Sequence, residues 1–207
     1  MASHFDEAVR EAAHRASQAV DRAMTKYGRG LVTDEDDLTG VLVGSLDTEL
    51  EGQIGGLTWS TSILRHRKGQ AAEEKQIGAD MLIHVAFNTP EHRYSKGVLI
   101  QSKRVELGAS MSAKDHRELV NQCGKMLQVT PASWVFDYAR GAMRCGSASR
   151  IKGSSNLVLS EECSWTPYRF FFELFRCPIG DERLTSALVR ELPVPTVLQI
   201  KAEGGRR

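Results

Sequence analysis

A chain of 207 residues, 41% hydrophobic and 26% charged, is long enough to bury one sizeable core and has the composition of an ordinary globular domain. No apolar run approaches the roughly 18 residues of a membrane span, and the polar N-terminus lacks the apolar centre of a signal peptide, so no membrane association and cytoplasmic residence are expected. A formal net charge of +1 makes no case for nucleic acid, but its distribution is uneven: residues 1–80 carry 9 basic and 14 acidic side chains (−5), residues 81–207 carry 18 and 12 (+6). That asymmetry permits a basic face beside an acidic pocket.

In chain order, Phe5, Val9, Ala12, Ala13, Ala16, Val20 and Met24 recur at helical spacing, which predicts an amphipathic helix over 4–25 with a narrow apolar stripe. Its small residues allow close approach to a second helix, within the chain or across a homo-oligomer. Gly28 and Gly30 end it. Thr33 then reads as the N-cap of a second helix, with Asp36 at the third position of a capping box. Leu38, Val41, Leu42, Leu46 and Leu50 form its buried stripe, and Glu35, three residues before Leu38, falls on the buried side. Asp34 and Asp36 read as solvated first-turn charges, and Asp37 falls nearer the Val41–Gly44 edge.

After a glycine-rich break at 51–56, residues 57–69 alternate as a strand and end in the basic cluster Arg65, His66, Arg67 and Lys68. That cluster is either a phosphate contact or a solvated loop. Glu73 and Glu74 precede Gly78-Ala79-Asp80, followed by a strand over 79–87, a polar loop over 88–97 broken by Pro90, and a strand over 98–107. Asp80 opens the first of these strands. Gln101 and Lys103 lie two apart on the second, so they project to one face while Ser102 points to the other. Residues 114–128 predict a helix with Leu119, Val120, Cys123, Met126 and Leu127 buried and Gln122 beside that stripe.

Pro131 ends that region, and 132–140 is a further strand. Residues 141–159 suggest short strands and turns, 167–177 a strongly apolar helix, 179–195 another short helix, and 196–200 a strand. The four cysteines, Cys123, Cys145, Cys163 and Cys177, have neither CxxC nor zinc-finger spacing and read as buried reduced thiols. No GxSxG is present, which leaves a serine hydrolase unsupported. The sum is an α/β fold with a mixed central sheet flanked by helices. Its expected divisions are an N-terminal helix over 1–30, one domain over 31–200 and a flexible tail over 201–207.

An acid, an amide and a lysine gathered at strand ends suit metal-dependent phosphodiester hydrolysis. Magnesium takes hard oxygen ligands from one or two carboxylates and keeps several waters, and the metal activates water and neutralises developing phosphate charge. Asp80, the Gln101 side-chain oxygen and the Ser102 carbonyl are the candidate ligands. Glu35 is a second anion that would offset the neutral glutamine. Lys103 is placed to position water and stabilise the transition state. The pattern Glu35, Gly78-Ala79-Asp80, Gln101-Ser102-Lys103 and helix Gln122, spanning residues 33–140, resembles the PD-(D/E)xK nuclease superfamily, in a QxK form similar to Mrr-type and Shedu-like nucleases. The resemblance implies a restriction-endonuclease-like core and a Mg2+- or Mn2+-dependent DNA endonuclease of restriction or antiviral defence, working alone or with a partner protein. By position it implies Asp80 and Gln101 as the metal-binding pair, Lys103 as the catalytic lysine, and Glu35 and Gln122 as the helix residues of the site. The superfamily also holds inactive members, so a binding or assembly component is the alternative.

Overall fold

The computed structural model describes residues 4–65 and 76–204. Helix α1 (His4–Gly28) and α2 (Glu35–Glu49) lead into β1 (Gly52–Ile54) and β2 (Leu57–Arg65). Then come β3 (Met81–Asn88), β4 (Arg93–Arg104), α3 (Ala113–Val129), β5 (Ser133–Ala139) and β6 (Ala142–Ser147). Four further elements are short helices α4 (Ala148–Lys152) and α5 (Leu159–Glu162), the longer α6 (Pro167–Arg176), and α7 (Leu188–Glu191). Strand β7 (Thr196–Glu203) is last in sequence but central in space.

The seven strands form one mixed sheet in the order β1-β2-β7-β3-β4-β5-β6. Strand β7 is antiparallel to β2 and parallel to β3, β3 and β4 make an antiparallel pair, and β5 runs parallel to β4. Strands buried on both faces need side chains that are apolar on both sides, and β3 and β4 comply: Met81 to Val85 and Val98 to Ile100 are buried, His84 apart from that apolar rule. One face of the sheet packs on α1, α2 and α6, through Ile83, Val98, Ile100, Phe136 and Ile200. The other packs on α3, α4 and α5, through Leu82, Leu99, Val135 and Val197.

The alanine stripe of α1 is covered within the chain, where Ala12, Ala16, Ala19 and Ala23 are fully buried in the same cluster as α2, α6 and the sheet. The first helix therefore belongs to the core of the domain. At its N-terminal end Phe5 meets Phe87 edge-on at 5.3 Å, and at its C-terminal end the Tyr27 hydroxyl donates to Glu106 at 3.0 Å.

Several boundaries differ from the sequence reading for local reasons. The N-cap of α2 is Asp34, not Thr33: its carboxylate accepts from the Asp36 N–H at 2.9 Å, which satisfies one of the orphan donors of the first turn. The break at 51–56 contains β1, because Gly55 and Gly56, with φ of 56° and 84°, make the tight turn of a hairpin. The loop before β4 is only 89–92, closed by mutual hydrogen bonds of Thr89 and His92, so β4 starts at Arg93 and pairs back to Asn88. Residues 148–162 hold two short helices where strands and turns were expected. Strand β7 takes in Lys201, Ala202 and Glu203, which read as tail. Of the basic cluster, Arg65 ends β2, while His66, Arg67 and Lys68 lie outside the described residues, as do Glu73, Glu74 and positions 205–207. Among the described residues no helix is long and apolar enough to cross a membrane.

The β1–β2 turn gives a direct test of this packing. A Cβ on Gly55 would stand 2.2 Å from the Ala8 Cα, whereas one on Gly56 would meet open space. Gly55→Ala should lower unfolding free energy in urea by about 2–5 kcal/mol, from the left-handed backbone plus the forced displacement of α1. Gly56→Ala should cost only the backbone component, about 1–2 kcal/mol. Equal losses in the two variants would show that α1 does not rest on the turn.

Candidate active site

The sheet delivers the predicted residues to one end of β3 and β4. Asp80 precedes β3, and its N–H donates to the Ile100 carbonyl at 2.9 Å. Its Oδ2 accepts from the Ser102 N–H at 2.6 Å and from Gln101 Nε2 at 2.8 Å. The carboxylate thus spans Gln101 and completes the β3–β4 ladder beyond the first strand pair. Gln101 Nε2 also donates to the Ser102 carbonyl at 3.0 Å. Its Oε1 is buried with no hydrogen-bond partner, and the whole side chain is inaccessible. Gly78, with φ +79°, gives this segment its close approach to α3: a Cβ there would lie 2.6 Å from the Gln122 carbonyl oxygen. Gln122 is itself in the buried face of α3, so its backbone rests on the Gly-Ala-Asp segment.

Ser102 points to the opposite face, as the strand period requires. Its hydroxyl lies 3.0 Å from the Tyr138 hydroxyl and accepts from Thr39 Oγ1 at 3.2 Å. This buried trio ties α2, β4 and β5 together. Burial holds the Tyr138 hydroxyl above its usual range, and the Asp80 and Glu35 carboxylates act in the same direction, which brings both within electrostatic reach of one group. Thr39 and Tyr138 escaped the sequence reading. The signal for Thr39 was its place one residue after Leu38 in the first buried turn of α2.

Glu35 reaches the end of β4. Its Oε2 accepts from the Arg104 N–H at 2.9 Å and its Oε1 lies 3.4 Å from Lys103 Nζ. Burial raises the Glu35 carboxyl above its ordinary value, opposed by Lys103 and by the Arg104 hydrogen bond. The structure therefore gathers the predicted residues as two units joined through the β4 backbone: Asp80 with Gln101 and Ser102, and Glu35 with Lys103. The second unit borders a cleft of about 410 Å³ that Arg104, Glu106, Asp115 and Glu118 also line. Asp80 and Gln101 are absent from its walls and lie deeper, at 9% and 0% exposure. Four carboxylates against two basic groups favour a cation in this cleft over a bare polyanion.

The donor set suits a hard divalent ion. No three His, Cys, Asp or Glu side chains among the described residues are grouped to hold a metal, so a cation here would rely on carboxylate plus amide oxygen and retained water, as Mg2+ does. The Gln101 amide carries a donor and an acceptor on the same carbon. Nε2 faces Asp80, and Oε1 has no hydrogen-bond partner among the described residues. A half-turn of the amide would set Oε1 against the carboxylate, an arrangement that a cation between them makes favourable.

One charged residue in the neighbourhood was read only as part of a strand. Asp137, on β5, pairs in register with Lys103 of β4 and with Arg144 of β6. It is 1% exposed, and neither carboxylate oxygen makes a well-formed hydrogen bond. Burial pushes its carboxyl up to about 7, helped by Glu106 and opposed by a Val105 backbone group and Arg144. A lone acid inside the apolar strand Ser133–Ala139 was the available signal. No family model, curated protein or solved structure matches the chain.

The Asp137 shift carries a signed consequence. The folded state holds this proton up to about pH 7, and an unfolded aspartate only to about 3.9. Between those values the native state binds more protons, so this residue's contribution to stability falls as pH rises through that window. Asp137→Asn removes the dependence: its urea midpoint relative to the unmodified chain should climb between pH 4 and pH 7 and level off above. A difference that is flat with pH would mean Asp137 is ionised throughout.

Proposed function

We propose that this chain is a Mg2+-dependent DNA endonuclease of the PD-(D/E)xK type, acting in restriction or antiviral defence. The observation that carries the reading is the Asp80–Gln101 contact at the end of the β3–β4 pair, with a buried amide oxygen that has no hydrogen-bond partner among the described residues. The surrounding order supports it: acid-bearing helix, Asp strand, QxK strand and Gln-bearing helix follow one another as in the resemblance. Asp80 and Gln101 would hold the cation, with the Ser102 carbonyl and Glu35 completing its surroundings. Bound there, Mg2+ (or Mn2+) supplies Lewis acidity and an activated water.

The chain's own residues do the rest. Asp80 is oriented by the Ser102 N–H and is thereby held ready without rearrangement. Lys103, on the cleft wall, is the cation placed to meet a phosphate oxygen and to fix the attacking water. Glu35 positions Lys103. Releasing Lys103 towards a phosphate means exchanging one half-buried anion for another.

The test is cleavage of supercoiled and linear DNA with Mg2+ and Mn2+. Asp80→Ala and Lys103→Ala should each reduce the rate on the order of 10²–10³-fold, with both variants still folded by circular dichroism at the assay temperature. Absence of cutting on every DNA form with either metal would defeat the assignment. A second prediction needs no turnover. Gln101→Glu places two carboxylates side by side, so it should melt lower than the parent chain in EDTA. Mg2+ should restore its melting temperature, with an affinity raised on the order of tenfold by the added charge. A calorimetric titration and two melting curves check it.

The acidic cleft and the Glu35–Lys103 pair also favour a second reading, a nuclease-fold component that binds a partner without cutting. It would show as a complex indifferent to Asp80→Ala.

A further inference from the structure

A second group of reactive side chains lies near the other end of β4, roughly 23 Å along the strand from Lys103 at the usual rise per residue. Lys96 is 1% exposed, and its Nζ has no hydrogen-bond partner. The turn after α6 lies directly on its methylenes, since a Cβ on Gly180 would stand 2.6 Å from Lys96 Cδ. Nζ sits 5.5 Å from the centre of the Tyr94 ring, whose hydroxyl donates to the Phe175 carbonyl at 2.6 Å. That bond binds the end of α6 to β4 two residues before Cys177.

Cys177 differs from the other cysteines. Cys123, Cys145 and Cys163 are buried, whereas Cys177 is exposed. With φ of 130° it is also the one non-glycine residue of positive φ among the described residues, a conformation that persists only where the surroundings enforce it. Cys177, Glu182 and Glu173 are the groups whose charge acts on Lys96, with Cys177 the largest of them. Burial pulls the amine down to about 8 against those charges, so at neutral pH the chain buries a cation that lacks a hydrogen-bond acceptor among the described residues, which is costly.

We propose that Cys177 is a site of reversible oxidation by hydroperoxides, and that the Lys96 ammonium holds the sulfenate formed there. The thiolate sulfur attacks one oxygen of hydrogen peroxide. The S–O bond forms as the O–O bond breaks; the departing oxygen keeps its own hydrogen, takes up the proton the thiol had released and leaves as water, and the sulfenic acid formed gives its proton to solvent to become the sulfenate. Sulfur gives up two electrons, which the peroxide takes. The sulfenate oxygen gives Lys96 Nζ the acceptor it lacks, and a charge-assisted hydrogen bond stabilises the product. A low-molecular-weight thiol reverses the step by displacing water to form a mixed disulfide, which a second thiol reduces.

The test treats the full chain with a small excess of hydrogen peroxide, traps sulfenic acid with dimedone and locates the adduct by peptide mass spectrometry. The adduct is expected on Cys177 and on none of the three buried cysteines. Lys96→Met should shorten the sulfenate lifetime about tenfold or more, the worth of a hydrogen bond to a charged group, and Lys96→Arg should preserve it. In the unmutated chain the Lys96 side-chain nitrogen resonance should shift on oxidation, a readout that stands even if Lys96→Met does not fold. The proposal is overturned if Cys177 stays reduced under peroxide that oxidises glutathione, if the Lys96 resonance is unmoved, or if folded Lys96→Met keeps the parent lifetime.

Discussion

The structure turns on the burial of β4 from both sides and both faces. A strand flanked by β3 and β5 and covered by helices above and below is buried over residues 96–102. Its polar groups must find partners in the chain, or in something bound to it. Asp80 answers most of that demand. Its N–H reaches Ile100 and its carboxylate reaches Ser102, bracketing Gln101 at 2.9 and 2.6 Å. The same bracket fixes the β3–β4 register, and with it the side to which each of residues 101–104 points.

From that register the site follows by geometry. Ser102, turned to the α2 face, meets Thr39 and Tyr138, and this pins the first turn of α2 over the strand end. With that turn fixed, Glu35 reaches the Arg104 N–H and Lys103. Helix α1 supports the arrangement from behind: its alanines let α2 and α6 approach the sheet closely, and Tyr27 holds Glu106 at the cleft. A stability element and a site element are therefore the same contacts.

Much of this was legible in the sequence because it depends on period. Alternation placed Gln101 and Lys103 together and Ser102 opposite, and a helical stripe put Glu35 on the inner side of α2. Legibility failed where a single hydrogen bond or a backbone angle decided the outcome. The Asp34 cap, the Gly55–Gly56 hairpin and the Thr89–His92 turn each depend on one or two local contacts that hydrophobic spacing does not encode. The central place of β7 was hidden for another reason: residues 196–200 read as a terminal strand, and nothing in their order says that they pair with both β2 and β3. Tyr138 and Asp137 were invisible as site neighbours because their role comes from parallel pairing with a strand more than thirty residues earlier.

The neutral glutamine changes the electrostatic logic of the site. With Gln101 uncharged, the deep unit carries the single charge of Asp80, and the cleft unit pairs Glu35 against Lys103. Glu106, Asp115 and Glu118 then leave the cleft net acidic. A phosphate approaching such a mouth gains little from Lys103 while Glu35 holds it. Under the nuclease reading, a divalent ion at Asp80 and Gln101 supplies positive charge that the protein withholds, so it serves substrate binding as well as chemistry. The buried amide oxygen of Gln101 and the acidic mouth thus lie at the same end of β4, one inside the sheet and one on the cleft wall.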